Sequence, residues 1–94
     1  MDQKKSIKVY VKVAAVFDEN GRMLPQQITW EDGVKYIIDK VTDITQAAAM
    51  RCGGQGDRYT VWIDGKSSYL YFERNGTLTG NNIGKWFVER RVAA

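Results

Sequence analysis

Residues Arg51 to Arg74 read RCGGQGDRYTVWIDGKSSYLYFER, and they decide the fold class. Tyr59, Val61 and Ile63 alternate with Arg58, Thr60 and Trp62. Ser68, Leu70 and Phe72 alternate with Tyr69, Tyr71 and Glu73. Period-two alternation of β-branched and aromatic residues is the pattern of a strand with one buried face. Asp64-Gly65-Lys66 lies between the runs and predicts a tight hairpin, type I′ at Asp64-Gly65 or type II′ at Gly65-Lys66. Either turn places Tyr59, Val61, Ile63, Leu70 and Phe72 on one face, which is assigned to the core. Arg58, Thr60, Trp62, Tyr69, Tyr71 and Glu73 share the other. That face is rich in aromatics for one meeting water, so either another element covers it or it binds something.

Upstream, Ile7, Val9, Val11, Val13, Ala15 and Phe17 are apolar at every second position of a long strand from Ser6 to Asp18. Asp18-Glu19-Asn20-Gly21 predicts a turn, and Arg22 to Leu24 a short returning strand that Pro25 stops or confines to an edge. Gln27 to Val41 predicts a second hairpin. A three-residue loop, Glu31-Asp32-Gly33 with a left-handed Gly33, sets Ile28, Trp30, Val34, Tyr36 and Ile38 on one apolar face; a two-residue loop does not. Beyond Val41 the pattern supports strand to about Ile44, then one or two helical turns through Gln46 to Met50 or an irregular crossover. Gly53-Gly54-Gln55-Gly56-Asp57 is expected as a loop, Asn75-Gly76 as a turn and Thr77 to Gly84 as a polar loop. Lys85 to Val92 closes the chain as a strand, with Arg90 to Ala94 fraying.

These segments predict an all-β protein with at most one short helix, residues 1–94 forming a single small domain with its core in 6–92. Five or six short strands point to a small SH3-like barrel or a rolled antiparallel sheet. A length of 94 residues buries a sufficient core without staples. No apolar run approaches the ~20 residues of a membrane span, and the first ten residues carry no apolar signal segment. With one cysteine, Cys52, there is no internal disulfide, and a reduced cytoplasmic setting is expected.

The composition also restricts chemistry. There is no histidine, so Ser–His and Cys–His pairs and a histidine base are excluded. No histidine and one cysteine leave no structural zinc site. Neither a cofactor nor a catalytic constellation is expected, and the carboxylates are scattered. Two binding candidates remain. Arg51, Gly53, Gly54 and Gly56 form a glycine loop beside a cation, a candidate anion site, although such loops normally open a helix rather than a strand. Arg58, Trp62, Tyr69 and Tyr71 combine rings with a cation on one strand face, as in sheets that stack single-stranded bases. The competing reading packs those rings under the Ala47–Cys52 segment or the Thr77–Gly84 loop. A net charge of +3 is modest for a nucleic-acid binder, with Lys4, Lys5, Lys8, Lys12, Lys85, Arg90 and Arg91 gathered near the ends.

Four stretches carry a resemblance: Ile28-Thr29-Trp30-Glu31-Asp32-Gly33-Val34-Lys35-Tyr36-Ile37-Ile38-Asp39-Lys40-Val41, Arg51-x-Gly53-Gly54-x-Gly56-x-Arg58-Tyr59-Thr60-Val61, Tyr69-Leu70-Tyr71-Phe72-Glu73 and Lys85-Trp86-Phe87-Val88-Glu89. As a set they resemble a group of small bacterial all-β proteins, a domain of unknown function, over roughly Lys8 to Glu89. The resemblance implies an all-β fold and carries over no catalytic residue. A more distant group of short β proteins with a Trp-x-Gly-x-Tyr hairpin is also similar and implies a setting near lesion-bypass DNA polymerases. Trp30 to Tyr36 has longer spacing than that motif. The expectation is a non-enzymatic interaction or accessory module with a protein partner, monomeric or a small homo-oligomer. The alternative is a weak single-stranded nucleic-acid binder linked to DNA repair.

Overall fold

The computed structural model describes residues 4–47, 56–79 and 82–93. The alternating segments form β1 (Lys4–Phe17), β2 (Met23–Thr29), β3 (Lys35–Ile37), β4 (Lys40–Ala47), β5 (Gly56–Ile63), β6 (Lys66–Thr79) and β7 (Asn82–Ala93). All pair antiparallel in one sheet, ordered β3-β2-β1-β7-β6-β5-β4. No helix occurs among the described residues.

The sheet is rolled, and the chain itself joins its ends. Its terminal strands β3 and β4 are consecutive, separated only by Ile38 and Asp39. The Ile38 N–H donates to the Gln26 carbonyl (2.9 Å), and the Asp39 N–H donates to the Trp62 carbonyl (2.7 Å). One run from Lys35 to Ala47 therefore leaves β2 and joins β5 within two residues. This break divides one expected strand into β3 and β4, and the sheet has seven strands where five or six were expected.

The turns follow their residues. Asp64 and Gly65 have φ of 51° and 77°; positive φ at both centres is type I′, which suits the right-handed twist of the flanking strands. Gly33 has φ 88°, and the Trp30 N–H donates to the Val34 carbonyl (2.8 Å), so the three-residue loop forms as expected. At Asp18 the carboxylate accepts the backbone N–H groups of Asn20 and Arg22, both at 2.9 Å, and fixes the first turn.

Several boundaries differ from expectation. β2 runs on through Pro25, so of the two expected outcomes it is the edge position and not the stop that holds. Ala14 opposes Gln27 and Ala15 opposes Pro25, so Gln26 is an extra residue in a bulge. Pro25 lies on the part of β2 that β3 does not reach, where a missing N–H costs no ladder bond. Asn75-Gly76 is not a turn. β6 continues to Thr79, and because Arg74 opposes Gly84 and Thr79 opposes Asn82, residues 75–78 stand opposite Ile83 alone. Thr77–Thr79 and Asn82–Gly84 are strand rather than loop, and β7 holds Arg90–Ala93 in pairing with β1 rather than letting them fray. Gln46 and Ala47 belong to β4, and Gly56 and Asp57 to β5. Long pairing partners override weak local propensity here.

The core is the predicted face of the β5–β6 hairpin. Tyr59, Val61, Leu70 and Phe72 are buried, joined by Ile28, Ile38 and Trp86, with Val11, Val13, Met23, Val41, Ile63 and Val88 packed around them. Trp86 lies against Phe72 (ring centroids 4.9 Å) and Tyr59 (5.1 Å). Other residues of the expected apolar faces reach solvent: Val34, Tyr36, Ile7 and Phe17 are exposed.

Candidate functional site

The face of the β5–β6 hairpin turned from the core carries a row of aromatics across the sheet. Strand register sets Tyr10 opposite Phe87, Phe87 opposite Tyr71, and Tyr71 opposite Arg58. Tyr71 and Phe87 stack at 5.1 Å with planes 8° apart, and Tyr10 meets Phe87 edge-on at 5.9 Å. Phe87 is wholly buried and Tyr71 is 7% exposed, a second apolar cluster outside the core. Cations cap the rings: Lys8 on Phe87 (5.0 Å), Lys85 on Tyr10 (5.1 Å), Arg58 on Tyr69 (4.5 Å) and Lys40 on Trp62 (4.9 Å).

Two carboxylates on this face, Glu73 and Glu89, accept hydrogen bonds from its side chains. Glu73 accepts from Lys8 Nζ (2.5 Å) and from the Tyr10 hydroxyl (2.8 Å). The Lys8 hydrogen bond, helped by that of Tyr10, lowers the Glu73 pKa below the usual carboxylate range. The Tyr71 hydroxyl donates to Glu89 Oε1 (3.0 Å); burial first, and then this bond, push its pKa up to about 12. A carboxylate held ionised and a phenol held protonated are poor proton-transfer groups near neutral pH.

Of the predicted binding face, Arg58, Trp62, Tyr69 and Tyr71 do share one side of the sheet, but they are not equally available. Tyr69 is half exposed, Trp62 is half-buried with its indole N–H donating to Thr42 Oγ1 (3.0 Å), and Tyr71 is buried. The proposed cover, Ala47–Cys52, falls almost wholly outside the described residues. So do Cys52 and, of the predicted anion loop, Arg51, Gly53 and Gly54. Gly56 lies in β5 and is buried; a Cβ there would sit 2.5 Å from the Phe72 carbonyl oxygen. Its lack of a side chain therefore serves close backbone approach.

The terminal cations come together as β1 pairs with β7, Ile7 opposite Arg90 and Lys8 opposite Glu89. Two of them meet a carboxylate: Lys8 pairs with Glu73, and Arg90 pairs with Glu31 while lying 5.5 Å from the Trp30 ring.

The crossover at Ile38-Asp39 creates a feature the sequence reading missed. Where β3 has left β2, the Met23–Pro25 edge of β2 faces β4 with no ladder between them. The gap is a groove of about 850 Å³. Ile38, Val41, Tyr59, Phe72, Met23 and Pro25 supply its apolar surface, and Phe17, Ile44 and Ile83 stand exposed around it. The Tyr59 hydroxyl donates to the Met23 carbonyl (2.9 Å) and ties β5 to the β2 edge. Arg22 is paired with Asp18 (2.9 Å) and Arg74 with Asp57 (2.8 Å). Only Pro25, in a chain otherwise free of proline, marked this place in the sequence.

Among the described residues no group of three or more metal-ligating side chains occurs, and no helix is long and apolar enough to cross a membrane. No protein-family model matches the chain, and no curated protein or solved structure matches it significantly.

Proposed function

We propose that this small barrel is a non-enzymatic interaction module and that the groove between β2 and β4 is its binding surface. The observation that carries the reading is a cleft of about 850 Å³ in whose mixed lining Ile38, Val41, Tyr59 and Phe72 supply apolar surface, with exposed Phe17, Ile44 and Ile83 around it. Concave apolar surface with exposed large hydrophobics is the usual mark of a binding site in a soluble domain. The absence of histidine from the sequence and the ion-paired state of Glu73 support a role without acid–base chemistry. The matched charges of Lys8 and Arg90 favour a protein partner over a phosphate backbone, whose binding draws on uncompensated cations.

The test is affinity capture with cross-linking from lysate of the source cells, using the wild type, Phe17→Asp, Ile44→Asp and Tyr69→Ala. A protein partner captured by wild type and Tyr69→Ala but lost with both groove substitutions is the expected result. Capture unaffected by either groove substitution, or abolished by nuclease, overturns it.

A further inference from the structure

We infer that the groove's partner is an extended polypeptide segment that adds as a strand along the free edge of β4, with a basic side chain beside Asp43. This rests on the groove being the binding surface. Among the described residues, β4 pairs with β5 on one side only, through Lys40–Ala47. Among the described residues, no backbone hydrogen bond is made by its other edge. A row of alternating N–H and C=O groups is matched by another extended chain, which gains affinity from main-chain bonds and selectivity from alternate side chains.

The side chains of β4 define what that chain must carry. Val41 opposes Val61 and Ile44 opposes Tyr59, both core-facing, whereas Asp43 opposes Thr60 and Thr45 opposes Arg58 on the outer face. The adding strand therefore places alternate residues over the apolar interior of the groove and the others beside Asp43 and Thr45. Asp43 accepts a hydrogen bond from Thr45 Oγ1 (2.8 Å) and has no cationic partner among the described residues. The lining arginines are already paired, Arg22 with Asp18 and Arg74 with Asp57, while Lys40 stacks on Trp62. Asp43 is thus the carboxylate on this edge with no cationic partner among the described residues, and it selects a cation. Opposite charges across a strand pair contribute ~0.2–1 kcal/mol, about 1.4- to 5-fold in affinity; the rest of the binding comes from the backbone and the apolar side chains.

The probe is a synthetic peptide the length of β4, eight residues, in which valine alternates with lysine. Two controls replace lysine by glutamate or methylate every second backbone nitrogen. Binding is followed by titration, with hydrogen exchange of the full chain reporting the β4 amides. The valine–lysine peptide is expected to bind and to slow exchange within Lys40–Ala47. The glutamate peptide should bind more weakly, the N-methylated peptide should not bind, and Asp43→Asn should weaken the lysine peptide about 1.4- to 5-fold. No binding at millimolar peptide overturns the inference. So does binding that leaves β4 exchange unchanged, or equal affinity for the lysine and glutamate peptides. Because the capture experiment uses no designed peptide, a partner lost with Phe17→Asp and Ile44→Asp keeps the groove as a binding surface even if strand addition fails.

Discussion

Tyr71 and Phe87 sit opposite one another on β6 and β7 and stack with their planes 8° apart, on the side of the sheet facing away from the core. The pair makes the outer face a structural layer. Phe87 is wholly buried under its neighbours, with Lys8 and the Tyr10 ring against it. Phe87→Ala should therefore behave as a core truncation and cost about 3–5 kcal/mol, whereas Tyr69→Ala, on the half-exposed ring, should cost much less. Urea unfolding of the two variants checks the contrast.

Acid should weaken this layer through Glu73. Its folded pKa is lowered, chiefly by the Lys8 hydrogen bond and then by that of Tyr10. Its contribution is therefore present above the ordinary carboxylate pKa and lost as pH falls through the folded value. Between pH 7 and pH 3 the wild type should lose more stability than Glu73→Gln, measured by urea midpoints at each pH. An equal loss in both proteins would mean that Glu73 contributes nothing to the pH dependence.

Alkali acts on the same layer with the opposite sign. Tyr71 is raised to about 12, first by burial and then by its bond to Glu89. A phenol whose folded pKa lies above the unfolded value stabilises the fold fully below about 10 and loses that contribution as pH rises through the folded value. In a tyrosinate absorbance titration, the transition that Tyr71→Phe removes should fall near 12 rather than near 10.

Gly84 should resist any side chain. A Cβ there would overlap the Glu73 carbonyl oxygen and lie 2.5 Å from Cζ of Phe72. Overpacking of this kind costs ~1–3 kcal/mol. Thermal melts should show Gly84→Ala well below the wild type. At Gly21, where nothing lies within 4 Å of an added Cβ, the penalty comes instead from φ of 81°, so Gly21→Asn should be tolerated better than Gly21→Ala.

Single-stranded DNA or RNA should show no saturable binding by fluorescence anisotropy at low salt, where phosphate attraction is greatest. Lys8 and Arg90 face carboxylates, and Tyr71 is buried away from any base. Binding at low salt that is lost in Tyr69→Ala would restore the exposed Tyr69–Arg58 pair as a stacking site.

Alternation and turn residues determined the all-β class, the buried face of the β5–β6 hairpin and the turn at Glu31-Asp32-Gly33, and narrowed the turn at Asp64-Gly65-Lys66 to two types, because strand period and positive-φ turn chemistry are local properties. The shared side of Arg58, Trp62, Tyr69 and Tyr71 was legible for the same reason, but not which of them reach solvent. That depends on Phe87 and Tyr10, which are brought alongside only when β7 pairs with both β6 and β1. The extension of β6 through Asn75-Gly76 likewise needed a partner strand, since that dipeptide taken alone favours a turn. The groove belongs entirely to tertiary structure. It exists because the chain leaves β2 and joins β5 within Ile38-Asp39, and a crossover between two non-local ladders leaves no mark on the periodicity of the residues that make it.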